Sequence, residues 1–177
     1  MKRRQFIKAS LVSGGAIIAI GAGTFLLIDE SSKESLTVDI ALKKLDELAH
    51  KNLVSSGIWD PYQIFTHCAQ SVEFSMSKFP EHKSNFFKHT VGHLAFSIFS
   101  SKGKMTHKLS EPIPSAPILN KSVDSMLALN RLKKALIEFD SYQGELAPHF
   151  AYGELSKEQY QIAHVMHLHN HLQEIQG

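Results

Sequence analysis

Two four-residue signatures constrain the fold more than any other part of the chain. Asp60-Pro61-Tyr62-Gln63 and Ser156-Lys157-Glu158-Gln159 each set a capping side chain three residues before a glutamine, so that each end can satisfy the other's backbone N–H. The first adds proline at the first helical position, where its missing N–H costs nothing. A helix is expected to start at both. Apolar residues recur at helical spacing elsewhere too. Ile40, Ala41, Leu45, Leu48 and Ala49 mark a first helix from about Thr37 to Leu53, and the second runs from Pro61 to about Met76. Phe87, Val91, Leu94 and Ile98 are expected to form the buried stripe of a third, from about Ser84 to Ser101. Leu129, Leu132, Leu136 and Phe139 do the same for a fourth, capped by Ser122. Gly103, Pro112, Pro114 and Pro117 forbid a continuous helix through residues 102–121, which read as a long loop walling a cavity. Gly144, Pro148 and Gly153 make another. With no internal repeat and no sustained strand alternation, the fold class is all-α: a helical bundle with long inter-helix loops over residues 36–177.

Residues 1–28 stand apart. Lys2-Arg3-Arg4-Gln5-Phe6-Ile7-Lys8 resembles the twin-arginine export motif, departing from it only before the arginines, where serine or threonine is usual. Leu11 to Ile28 is an uncharged run rich in glycine and alanine, closed by Asp29-Glu30. Two readings stay open. The segment is a signal removed after export, or an uncleaved membrane anchor, since about 18 apolar residues just span a bilayer and Phe25-Leu26-Leu27-Ile28 lacks a small-residue cleavage pattern. Either reading makes the export machinery a partner and places the domain in the periplasm or on the outer face of the cytoplasmic membrane. Residues 29–35, polar and serine-rich, read as a linker.

Charge excludes one function class. Four of the basic residues, Lys2, Arg3, Arg4 and Lys8, belong to the leader; from residue 29 onward fifteen basic residues face seventeen acidic ones. No basic stripe with interleaved aromatics remains, so nucleic acid is not an expected partner. Cys68 is the sole cysteine, which rules out an intramolecular disulfide and suits a small buried side chain better than a nucleophile.

Eleven histidines are the unusual feature, four of them between positions 164 and 171. At about 100° per residue, His164, His167 and His171 share one face of the last helix with Tyr160 and Leu168, while His169 points away. Imidazoles on an apolar stripe are costly as filler, because a neutral ring still needs partners for a donor and an acceptor. His167 and His171, one turn apart, can grip one cation. A third ligand must come from elsewhere, and His67 on the second helix is the best candidate, with His93 a weaker one. His50, His82 and His107 look solvated. Hydrogen-bonded cavity histidines are the alternative reading of the whole set.

Three segments, residues 61–71, 149–156 and 167–173, resemble the DinB-like (YfiT-like) metalloprotein superfamily, and within it a branch of exported bacterial proteins with a twin-arginine signal. The resemblance implies a four-helix bundle holding a divalent ion, commonly zinc, nickel or iron, on one early and two late histidines: His67, His167 and His171. Asn170 stands where the superfamily often has a histidine next to the last ligand. Two functions follow as expectations. One is a metal-dependent enzyme of hydrolase or thiol-transfer type acting on a small-molecule substrate, with His149 or His164 as acid or base. The other is a non-catalytic periplasmic protein that holds a metal or small ligand. A partner-binding module without metal is a third reading, and assembly as a homodimer is left open.

Overall fold

A computed structural model describes residues 36–177; the expected leader and linker, residues 1–35, lie outside the described residues. Helix α1 is Val38–Leu48, α2 Pro61–Met76, α5 Ser125–Ser141 and α6 Lys157–His171. Between α2 and α5 lies a helical stretch in three pieces: a single turn α3, Asn85–Phe87, a π turn Lys88–Gly92, and α4, His93–Lys102. A two-residue strand β1, Val54–Ser55, pairs antiparallel with β2, Ile175–Gln176. The architecture is a mostly helical bundle with long loops, and among the described residues no helix is long and apolar enough to cross a membrane.

Both signatures form as expected. Asp60 accepts from the Gln63 backbone N–H at 2.8 Å while the Gln63 side chain accepts from the Asp60 N–H, and Ser156 and Gln159 do the same for α6. Asp60 also reaches forward to the Ser122 N–H at 3.3 Å, so one carboxylate fixes the start of α2 and the end of the long loop. Asp60→Ala is expected to lower stability by about 1–2 kcal/mol, read by urea denaturation, since it orphans a helix N–H and releases the loop.

The core lies where α2 packs along α5. Ile64, Phe65, Cys68, Ala69 and Val72 meet Leu129, Leu132, Leu136 and Phe139, all buried. The α5 stripe is therefore the expected one. Its cap is Asp124 rather than Ser122, whose hydroxyl instead accepts from the Asp124 N–H, and α1 stops at Leu48, five residues short of expectation. Helix α6 closes the bundle against α2 and α1.

The third helix departs from expectation in its face. Val91, Leu94 and Ile98 are exposed, and the inner face is Gly92, Phe96 and Ser100. The reason is steric. A Cβ on Gly92 would sit 1.9 Å from the Ala151 carbonyl oxygen, so the 149–153 loop approaches the helix backbone more closely than any side chain permits. Gly103, in the left-handed region at φ 60°, ends α4.

Residues 103–124 form the long loop. Two buried glutamines of α2 hold it down: Gln63 donates to the Leu119 carbonyl at 2.8 Å and Gln70 to the Pro117 carbonyl at 3.1 Å.

Candidate metal centre

His67 projects from the middle of α2, and His167 and His171 from the last turns of α6. Packing of α2 against α6 brings the three together. His167 Nε2 lies 3.1 Å from His67 Nε2 and 3.2 Å from His171 Nε2. A fourth ring joins them. His107, from the long loop, stands with its centroid 5.0 Å from those of both His167 and His171, and one ligand atom from each of the four histidines lies within 4.8 Å of the others. The expectation that His107 is solvated is corrected: it is partly buried, because Met105 and Ile113 anchor the loop in the core on either side of it. His93 is exposed on α4 and stays away from the cluster, whereas His50 is exposed as expected and His82 is partly buried.

Hydrogen bonding alone satisfies this arrangement poorly. A ring nitrogen carries either one proton or one lone pair, so His167 Nε2 can bond to only one of its two Nε2 neighbours. The Nδ1 atoms of His67 and His171 are sealed from solvent with no protein partner. Two nitrogens each about 2.0–2.1 Å from a tetrahedral ion stand about 3.4 Å apart, close to the separations here. The donor set therefore fits a divalent ion, and the chain has the capacity to bind one.

The electrostatics favour the ligand form. Burial lowers the pKa of all four rings and is the largest cause in each. His67 falls to about 3, with a further push from His107, and His171 to about 2, with pushes from His67 and His107. Desolvation holds His167 well below the usual imidazole value, and its histidine neighbours add to this. All four are imidazoles rather than imidazoliums at neutral pH, which is the state a metal requires. Trp59 shields the far side, stacked on His171 at 5.9 Å and tilted against His67 at 4.9 Å.

Asn170 supports the fourth ring. Its side-chain amide lies 2.7 Å from His107 Nδ1, while His107 Nε2 is buried without a partner. With the amide oxygen turned to accept Nδ1–H, the Nε2 lone pair is free for a ligand bond. Asn170→Ala is expected to weaken zinc affinity by about 10–100-fold, measured by competition with a chromophoric chelator.

A cavity of about 300 Å³ opens on His67, His107 and His167, with Met105, Ile113 and Phe150 among its apolar walls. His149 and His164 line it as well. His149 Nδ1 accepts from the Ala151 and Tyr152 backbone N–H groups, each at 3.1 Å, so its neutral ring carries the proton on Nε2. Its ring stacks on Tyr152 at 4.3 Å. The Ser75 hydroxyl donates to the Val72 carbonyl at 2.6 Å and so accepts from His164 Nε2–H at 3.1 Å. Burial holds His164 at about 3 and His149 well below its usual value. Cys68 faces the core instead, its thiol pKa pushed up by burial. A wider, shallower groove of about 870 Å³ runs from Leu53 to Ser125 and touches none of these histidines.

Residues 30–177 match the family described as "Protein of unknown function (DUF1569)", and the chain belongs to that family. No curated protein and no solved structure matches it.

Proposed function

Starting from that membership, we propose that the chain is an exported metal-dependent protein in which His67, His107, His167 and His171 hold one divalent ion, zinc, nickel or iron, beside a cavity for a small molecule. The convergence of the Nε2 atoms of His67, His167 and His171 carries the reading, because three neutral imidazoles gain more from one shared cation than from each other. The finer fold reading, a DinB-like four-helix bundle, is supported by the same pattern of one early and two late histidines on long helices. Export rests on the sequence of residues 1–28.

An ion at this position supplies Lewis acidity, polarising a bound oxygen or lowering the pKa of a bound water or thiol. The surrounding residues do the rest. His149 is a fixed donor to a ligand in the cavity, because its other nitrogen is occupied by two backbone N–H groups. It therefore orients an acceptor atom instead of acting as a base. His164 is locked by Ser75 and keeps its Nδ1 lone pair, which makes it an acceptor for a ligand proton, although with its pKa at about 3 it is too weak a base to hold that proton at neutral pH.

One observation favours the second reading, a non-catalytic metal-binding protein. His107 makes a fourth imidazole, and four protein ligands close a tetrahedral site. Cobalt(II) loading of the full chain separates the two. A visible spectrum that changes when azide is added means an open position and supports the reactive reading. A tetrahedral spectrum indifferent to azide supports the closed one, and a chain that takes up no cobalt, zinc, nickel or iron rejects both.

A further inference from the structure

The stretch from Asn85 to Lys102 carries its apolar stripe on the side away from the core, and the metal centre makes no use of it. Phe86, Leu94 and Ile98 are 78 %, 58 % and 41 % exposed. With Thr90 they follow one another at intervals of four residues, which sets them along one face, opposite the inner face of Gly92, Phe96 and Ser100. Val91, 54 % exposed, flanks the same stripe. A contiguous set of large apolar side chains facing water, on a helix whose other side is packed, marks a contact surface.

Charge around the stripe identifies what it contacts. From His82 to Ser110 the chain has five lysines, Lys83, Lys88, Lys102, Lys104 and Lys108, and no aspartate or glutamate. The remainder after residue 28 has ten basic residues against seventeen acidic ones, so the positive charge of the domain is concentrated beside its exposed apolar helix. Four of these lysines are exposed and Lys88 is partly so. Lys102, exposed, continues the four-residue series beyond Ile98, and a long ammonium stem at the end of an apolar stripe matches the boundary of an anionic bilayer, where the stripe enters the acyl region and the lysine reaches the phosphates. The chain also carries its own route to such a surface. On the uncleaved-anchor reading, Leu11 to Ile28 inserts, and the seven residues from 29 to 35 reach no further than about 25 Å.

We propose that the face formed by Phe86, Thr90, Leu94 and Ile98 lies in the surface of a bilayer containing anionic phospholipid.

The test uses the full chain with an environment-sensitive fluorophore on Thr90→Cys, and, for comparison, on Lys134→Cys at an exposed position of α5. The native Cys68 is buried and escapes labelling. Vesicles of phosphatidylcholine alone, or of phosphatidylcholine and phosphatidylglycerol in equal parts, contain nitroxide-labelled lipid as a quencher. The expected result is quenching at position 90 several-fold stronger than at 134. The excess appears with phosphatidylglycerol, falls as salt rises, and is lost in Leu94→Glu/Ile98→Glu protein of unchanged helicity. Equal quenching at the two positions overturns the proposal. So does a position-90 probe already shielded from aqueous iodide before vesicles are added, which would mean that another part of the chain or a second copy covers the face.

Discussion

Replacing His167 and His171 together by alanine is expected to abolish metal binding and, with it, all metal-dependent stabilisation. Wild-type chain purified without a histidine tag should contain near one equivalent of zinc, nickel or iron by plasma mass spectrometry, and the double variant none. The thermodynamic consequence is measurable without a substrate. A ligand that binds only the folded state at about 100 times its dissociation constant adds about 2.7 kcal/mol, so zinc should raise the melting temperature of the wild type and leave that of the variant unchanged. Full occupancy in a variant that retains its helicity would show that the cluster is not the site. Removing His171 also removes a buried Nδ1 that has no partner in the metal-free fold, which offsets part of the cost of losing the two rings.

Metal-free protein is expected to lose stability steeply between pH 7 and pH 5. His164 titrates at about 3 in the folded chain against 6.5 when free, and His149 is likewise held well below 6.5. Below pH 6.5 the unfolded chain binds protons that the folded chain refuses. The stability of both groups is therefore complete above pH 6.5 and is lost as pH falls toward the folded value. At pH 5 His164 contributes a loss of about 2 kcal/mol, and His149 and the four clustered histidines add to it in the same direction. Urea denaturation of chelator-treated protein at pH 7, 6 and 5 reads the slope directly. His164→Phe should reduce that slope by about 1.4 kcal/mol per pH unit below 6; an unchanged slope would mean that His164 is not the neutral buried group described above.

Most of the bundle was legible because its signals are local. The start of α2 at Pro61, the capping box at Ser156 and the α5 stripe from Leu129 to Phe139 each depend on residues within a turn or two of one another. His67, His167 and His171 could be brought together in thought because two amphipathic helices each carry a histidine on the inner face. His107 could not. It lies in an aperiodic loop, and its place is set by Met105, Ile113 and the glutamines of α2, contacts between residues far apart in sequence. One signal was available in retrospect: Asn170, a polar residue on the helix that carries two ligands, needed a partner. The third helix shows the opposite failure. Its apolar stripe is real, but a glycine facing a carbonyl oxygen decided which side turned inward, and hydrophobic periodicity does not register close backbone approach.

The short pairing of β1 with β2 has a bearing on the last ligand. His171 is the last residue of α6, where a helix would ordinarily fray. The segment after it is pinned instead: Ser56 N–H donates to the Glu174 carbonyl at 2.9 Å, Ile175 and Gln176 pair with Ser55 and Val54, and Lys51 reaches the Gly177 carbonyl at 3.3 Å. Those contacts act as a clasp on the tail, and through it on the orientation of the final imidazole. A substitution that opens the clasp in β1 therefore disturbs the last ligand as well, whatever its distance from it in sequence.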